Sequence, residues 1–591
     1  MHVAHVKIDN FRGIKRARIT LSTTALLLGD NNSGKSTVLE AIELALGPDR
    51  LYRRPPIDEH DFHAGKYLDE KISIEVTLAG LSEELQSKFR ANLEYWDTTA
   101  NAVLESAPAG DPEFCVRILF TGLYDPEEDD FTGETWFASP LRDGSELSQR
   151  CTSADKRAFG FLLLRALRTG NRAMSMERGS LLDVVLRAFE VEVQMWEQLL
   201  DRLRTVPVAG EDNDQFGAVL TSLDTAMKKI VTSEWADAPH LRVSDLTRED
   251  VRHVLRAFMA TGSGDYAAPF NHQGSGTINS LVIAMLSLIA ERRNKAVIFA
   301  MEEPEISLPP TAQKRIVDLI RDIAGQAIFT SHSPYVLEEF EPEHLVVVSR
   351  DLASGEMTGA KVDLPPELKH KVFMQGMRTR FSEALLARRV VICEGRSEAM
   401  AYPYLAKRGA AAAPGDYSRM DTDGWAVFDA EGETNVASFA RFFKGLGKSV
   451  ITIFDSQPAD RLAAIEEASD LAFQQPHAGF EALLVDETPV SAKRAFAEEL
   501  QREGSWPSHV PAPADGTDAA LDKALRELFE KSKGEGVAMH LLSTLKPADY
   551  PATMRSVLDG IRAYTRAEAP ASEDSADDGQ QPEDEAVEPQ Q

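Results

Sequence analysis

Apolar and polar side chains alternate along residues 3–9 (VAHVKID) and again in the run RARITL, with the turn FRG between them. That period of two predicts strands with one buried face, and the unbroken apolar run ALLL at 25–28 predicts a fully buried strand. From about 158 to 203 the period lengthens. Leu182, Val185, Leu186, Phe189, Val193, Trp196, Leu199, Leu200 and Leu203 recur mostly at three- and four-residue steps, which predicts a helical insertion offering either an ordinary core face or a helix pair that dimerises. Strand and helix patterns alternate once more over 295–350 and 388–454, the rhythm of parallel α/β sheets.

Length and composition narrow the class. A chain of 591 residues exceeds one hydrophobic core, and 43% hydrophobic with 27% charged residues excludes a fibrous or wholly disordered chain. The longest apolar stretch, 278–290, contains Asn279, Ser280 and Ser287 and falls short of the ~20 residues that cross a bilayer, so no membrane span is expected. No secretory signal pattern opens the chain. Cys115, Cys151 and Cys393 lie far apart without CxxC spacing, which fits reducing conditions and a cytoplasmic location. The net charge of −30 argues against nucleic-acid binding by the whole surface and leaves room for a local basic groove. Part of that charge sits at 567–591, where nine acids and no Lys or Arg predict a disordered tail.

The sharpest local pattern is Gly29-Asp30-Asn31-Asn32-Ser33-Gly34-Lys35-Ser36-Thr37, a GxxxxGK[ST] loop between the ALLL strand and the helical VLEAIELAL. Glycines let backbone N–H groups wrap phosphate oxygens, the helix N-terminus adds partial positive charge, Lys35 adds a full one and Ser36 is placed to ligate Mg²⁺. The loop predicts a nucleoside triphosphate site. Downstream, the apolar run 296–301 ends in Glu302-Glu303-Pro304-Glu305. Strand-end carboxylates hold Mg²⁺ and polarise the attacking water, Glu302 on the metal and Glu303 as base. Glu302 stands where Asp is usual. After the next short apolar strand, His332 in TSHSP is a candidate γ-phosphate sensor. Between them, 273–280 (QGSGTINS) forms a Gly/Ser turn ahead of an apolar helix. Together these four elements resemble the ABC-type ATPases of the structural-maintenance-of-chromosomes and recombination group, with 273–280, Ser275 included, in the place of the signature motif. The resemblance implies a homodimer in which the signature of one subunit closes on ATP held by the other.

The C-terminal half carries a second constellation. The strand RRVVIC (388–393) runs into Glu394-Gly395-Arg396-Ser397-Glu398, and strands at 426–428 and 450–454 follow, the latter ending in Asp455. Acids at the ends of parallel strands sit where open α/β sheets place ligands. Three such carboxylates converging on one point repel unless a cation lies between them, and oxygen ligands favour Mg²⁺ or Mn²⁺ over zinc. E-G-x-x-E followed by a strand-terminal Asp resembles the Toprim domain. An ABC-type ATPase ahead of Toprim resembles the OLD (overcoming lysogenization defect) family of ATP-dependent nucleases.

That resemblance implies metal-dependent cleavage of DNA, endo- or exonucleolytic, with Glu394, Glu398 and Asp455 as metal ligands, Glu394 also catalytic, Glu481 supplying a further ligand and Lys533 stabilising charge on the phosphate. It also implies defence against foreign DNA and a helicase-like partner. One departure stands out: Toprim domains carry Asp-x-Asp, and this chain reads Asp455-Ser456-Gln457, with Asp460 three residues further on. An alternative function is therefore an ATP-driven DNA clamp whose Toprim site cuts poorly. The expected architecture is α/β: an ABC-type ATPase domain at 1–155 and 235–375, a helical insertion at 156–234 that is a candidate for dimerisation, a Toprim nuclease domain at 386–566 and the acidic tail at 567–591.

Overall fold

The computed structural model describes residues 1–48, 56–108, 113–138, 149–164, 180–188, 193–205, 215–229, 247, 250–251, 258–260, 267–269, 274, 281–282, 284–285, 288, 297–306, 308–351, 354–366, 368, 370–477, 479–513, 516–531 and 536–568. The chain divides into two compact units, one of residues 1–364 and 368–386, the other of 365–367 and 387–591.

The first unit is built on a large mixed sheet. Its parallel half runs Phe161–Leu164, β2 (Ile298–Glu302), β3 (Gln326–Thr330), β1 (Thr24–Leu28) and Leu345–Arg350. Glu356–Lys361 turns the sheet antiparallel and leads to Ile14–Thr20, His2–Phe11, Ile72–Ala79 and Glu113–Asp125. The half-buried strands read from alternation lie in the antiparallel half, while β1, whose ALLL is buried throughout, lies in the parallel half.

Register brings three strand ends of that parallel half together. Glu302 pairs with Thr330, and Thr330 with Leu27, so three strands end level with one another, directly before the GxxxxGK[ST] loop, the acidic pair and His332. Behind the loop, α1 (Lys35–Leu46) buries Val38, Leu39, Ile42 and Leu46 in one core with Leu27, Ile298, Ile328 and Val346. Each such side chain contributes about 1.5–3 kcal/mol by leaving water. The C-terminal end of α1 closes on Gly47, whose N–H donates to Glu43 O (2.7 Å), and on Lys156, fully buried, whose Nζ donates to Leu44 O (2.9 Å).

Two boundaries differ from the sequence expectation. Phe161–Leu164 falls within the expected insertion 156–234 but is a strand of the main sheet, preceded by the helix Ser153–Phe159 that carries Lys156. Four apolar residues in a row fit a buried strand and a buried helix equally, and long-range pairing with β2 decided between them. The segment 181–203 is two helices, Leu181–Ala188 and Val193–Thr205. At the other end, Ala567 and Glu568 belong to the helix Ala552–Glu568 rather than the tail, because Glu568 accepts from Arg389 Nε and Ser449 Oγ, both at 2.7 Å. Residues 569–591 lie outside the described residues.

The second unit holds a four-stranded parallel sheet in the order β5 (Trp425–Asp429), β4 (Arg389–Cys393), β6 (Ser449–Phe454), β7 (Leu471–Gln474). The helix α2 (Arg396–Ala412) buries Ala401, Tyr402, Leu405 and Ala406 in a core with Val391, Ile451 and Ile453. Phe480, Leu483 and Leu484 of α3 (Phe480–Glu487) and Leu525, Leu528 and Phe529 of α4 (Asp518–Lys531) complete that core. The short α5 (Val537–Thr544) follows, and among the described residues no helix is long and apolar enough to cross a membrane.

Candidate functional site

The loop between β1 and α1 has the geometry its glycines predict. Gly29 has φ +150° and Gly34 φ +96°. A methyl group on Gly29 would fall 2.3 Å from Val348 O, and one on Gly34 would fall 2.3 Å from Met357 Cε. At Gly29 a backbone oxygen and the conformation both exclude a side chain, while at Gly34, where Met357 Cε can move aside, the left-handed conformation does so. Gly34 caps α1 with no side-chain hydrogen bond, so the leading N–H groups of the helix keep no capping side chain. Asn31, Asn32 and Ser36 are exposed, Thr37 is half-buried, and Ser33 is buried with an Oγ that has no hydrogen-bond partner. Lys35 Nζ donates to Gly29 O (2.9 Å) and Asp30 O (2.8 Å), folding the ammonium into the loop. Burial pushes its pKa down to about 8, against the opposing pull of Asp30, Glu303 and Glu305.

Those opposing charges place the acidic strand end beside the loop. Glu302 closes β2, and Glu303, at φ +43°, donates its N–H to Thr330 O (2.9 Å). His332 is held below the usual imidazole range by burial first and then by the Lys35 charge. The sequence reading assigned no role to Glu305. It accepts from His332 N–H (2.6 Å) and from Ser331 Oγ (2.9 Å), and burial raises its pKa. Glu305 therefore ties the acidic turn to the histidine turn, a role visible only once β2 and β3 are adjacent. Lys35, Glu303, Glu305 and His332 thus come together; of the segment 273–280 only Gly274 is described, and Ser275 lies outside the described residues. A glycine cradle at a helix N-terminus, with a buried lysine beside it, fits the phosphates of a nucleotide.

In the second unit, the four-stranded sheet delivers Glu394 and Asp455 at the C-terminal ends of its two central strands. Glu394 N–H donates to Ile453 O (3.0 Å), and Glu394 Oε2 accepts from Asp455 N–H (3.0 Å) and Gln457 Nε2 (3.4 Å). Glu398 lies in the first turn of α2 and Glu481 in the first turn of α3. All four acids line one cleft of about 480 Å³. A methyl on Gly479 would stand 3.9 Å from Asp455 Oδ2 and 3.8 Å from Glu481 Oε2, so these two carboxylates flank it.

The charge balance of the cleft is unfavourable as it stands. Burial, then the charges of Asp455, Glu394 and Glu481, raises the Glu398 pKa to about 7. Gln457 is buried, and its amide oxygen has no hydrogen-bond partner. This all-oxygen set fits a hard divalent cation such as Mg²⁺ or Mn²⁺. Among the described residues, however, no group of three His, Cys, Asp or Glu side chains is arranged as a ready ligand set. Asp460 is exposed, in the first turn of the helix Ala459–Ala468, and is not among the residues lining the cleft. Lys533 lies outside the described residues.

Comparison with known proteins assigns both units. The AAA ATPase domain model matches residues 1–111 and 193–337, and the overcoming lysogenization defect protein-like TOPRIM domain model matches 385–456. The chain is 23% identical to an OLD nuclease of Thermus scotoductus over 95% of this chain and 98% of that protein. It is 22% identical to the endonuclease GajA of Bacillus cereus over 67% of this chain and 66% of that one. Among solved structures, the C-terminal region of the Burkholderia pseudomallei OLD protein is 20% identical and covers 30% of this chain and 98% of that one, with a TM-score of 0.23. An AAA ATPase domain followed by an OLD-like TOPRIM domain is the arrangement these matches give the chain, which over nearly its whole length is similar to an OLD nuclease.

Proposed function

We propose that this hydrolase, an ATPase and nuclease, cleaves DNA phosphodiester bonds in the cleft of Glu394, Glu398, Asp455 and Glu481, in a reaction that depends on Mg²⁺ or Mn²⁺. The observation that carries the reading is the gathering of four carboxylates in one cleft with Glu398 driven up to about 7 by burial and by the other three. Buried like charges are costly without a counter-ion. Glu394, Glu398 and Asp455 would hold the cation, with Glu481 and the Gln457 oxygen available to it. When bound, a divalent cation lowers the pKa of a water and neutralises charge on the phosphate.

In the ATPase unit, Lys35, which donates to the Gly29 and Asp30 carbonyls, would turn to the phosphates of a bound nucleotide, and Ser36 and Glu302 would hold a Mg²⁺ that neutralises charge there. Glu303 orients the attacking water, His332 contacts the γ-phosphate, and Glu305 positions His332. The chain works as a homodimer closed through residues 273–280, with the helices Leu181–Ala188 and Val193–Thr205 contributing contacts; light scattering with and without ATP tests this. A cytoplasmic location, defence against foreign DNA and a helicase-like partner complete the proposal on family grounds.

A second reading, a DNA clamp with a weak nuclease, is favoured by Gln457 and by the lack of a ready ligand trio among the described residues. Nicking of supercoiled plasmid in Mg²⁺ or Mn²⁺ separates the two: conversion to open circles supports the nuclease, and ATP hydrolysis without nicking supports the clamp.

A further inference from the structure

In the ATPase unit, His332 is the middle one of three consecutive residues that are each tied to the segment after β2. Its own N–H donates to Glu305 Oε1 (2.6 Å), and Ser331 Oγ, just before it, donates to Glu305 Oε2 (2.9 Å). Ser333, just after it, donates through Oγ to Gln313 Oε1 (2.6 Å). Gln313 lies near the start of the helix Pro310–Ile323, and its Nε2 donates back to Leu308 O (2.8 Å), in the turn between β2 and that helix. Two bonds complete the network: Ser333 N–H donates to Ser331 Oγ (3.0 Å), and Ser333 Oγ accepts from Tyr335 N–H (3.2 Å). Ser331, Ser333 and Gln313 are all buried, so their polar groups have to be satisfied within the protein, and these bonds engage both ends of the Gln313 amide and both hydroxyls.

Holding the elements together does not call for this network. β2 and β3 are already paired from Ile298–Gln326 to Glu302–Thr330, and the helix Pro310–Ile323 buries Ile316, Val317 and Ile320. An apolar side chain at 313 would serve burial without desolvating an amide. What the carboxamide adds is direction, because its acceptor fixes Ser333 while its donor fixes the turn at Leu308. The backbone that carries the His332 imidazole is thereby anchored on one side by Glu305 and on the other by Gln313. A catalytic contact misplaced by about 1 Å costs up to about 10²-fold in rate, so such anchoring has a kinetic consequence.

Resting on the placement of His332 at the γ-phosphate, we infer that Gln313 is a positioning residue for ATP hydrolysis, acting through Ser333 on the backbone of His332. The test is steady-state ATP hydrolysis by the full chain carrying Gln313→Leu, His332→Ala or both, at a temperature where circular dichroism shows each protein folded. Gln313→Leu is expected to lower kcat by about tenfold or more while KM for ATP stays within about twofold. The double variant is expected to match His332→Ala, since a residue that acts through His332 then has nothing left to position. Gln326→Leu controls for burial alone. Gln326 is a buried glutamine at the start of β3, away from His332, whose amide bonds Val3 N–H, Val3 O and Ser22 O; its loss should lower the melting temperature and leave kcat within about twofold. If Gln313→Leu fails to fold, Ser333→Ala breaks the same link from the other side with the same expectations, and Ser333→Thr, which keeps the hydroxyl, should restore kcat. An unchanged kcat in Gln313→Leu, an effect confined to KM, an equal loss in Gln326→Leu, or a double variant whose loss is the product of the two single losses overturns the inference. If His332→Ala turns ATP over at the wild-type rate, the His332 reading fails and the inference with it, whereas a slow His332→Ala beside an unimpaired Gln313→Leu overturns the inference alone.

Discussion

Replacing Lys156 by methionine isolates the cost of burying one charge behind the nucleotide loop. Its side chain is fully buried, its Nζ donates to Leu44 O at 2.9 Å, and burial lowers its pKa from 10.5 to about 8. The unfolded chain therefore binds more protons than the folded one between about pH 8 and 10.5, and stability rises with pH through that window. Below about pH 8 both states are protonated and the penalty is fully present. At pH 7 it amounts to about 3 kcal/mol, and by pH 10 it has fallen by about 2–3 kcal/mol. Methionine removes the penalty at every pH but leaves Leu44 O without its donor, a loss of about 1–3 kcal/mol. The two effects nearly cancel at pH 7, so Lys156→Met should be close to neutral there and destabilised relative to wild type by about 2–3 kcal/mol more at pH 10. Urea melts followed by far-UV circular dichroism at pH 7, 8, 9 and 10 measure this difference for the unit that contains residue 156. A wild-type to variant gap that stays constant across that range refutes a lysine that is charged while buried.

Lys35→Ala should reduce ATP hydrolysis to background in a phosphate-release assay while the second unit keeps its melting transition, since Lys35 lies in the first unit. Gly29→Ala should weaken nucleotide binding by at least about tenfold in calorimetry, because its Cβ would meet Val348 O at 2.3 Å in a conformation that alanine disfavours. Gln457→Asp adds a charge beside Glu394; it should lower the melting temperature in EDTA, raise it in Mg²⁺, and reduce the metal concentration for half-maximal cutting by roughly tenfold.

Contiguity explains what the sequence made legible. The GxxxxGK[ST] loop, E-G-x-x-E and the strand-end Asp455 are each read within a few residues, because a phosphate cradle or a strand-to-helix turn is a local structure. Glu305 was overlooked since its partners, Ser331 and His332, become neighbours only through the register of β2 against β3. Phe161–Leu164 was absorbed into a helical pattern, and Leu471–Gln474 was not singled out at all, since four residues are too short to show a period and both strands owe their place to parallel pairing. Nothing in the sequence marks Lys156 as buried; only the fold places it there. The lining of the carboxylate cleft assembles from α2, α3, α4 and α5, which no local pattern connects.

The central claim is that one metal-dependent nuclease centre sits at the ends of β4 and β6, separate in its chemistry from the ATPase loop. It is tested most directly by plasmid nicking in Mg²⁺ with a Glu398→Ala, Asp455→Ala double variant whose ATP hydrolysis is measured in parallel. Nicking should fall by roughly 10²-fold or more, the least that loss of an activated nucleophile costs, while ATP turnover persists. Nicking at the wild-type rate by that variant would contradict the account.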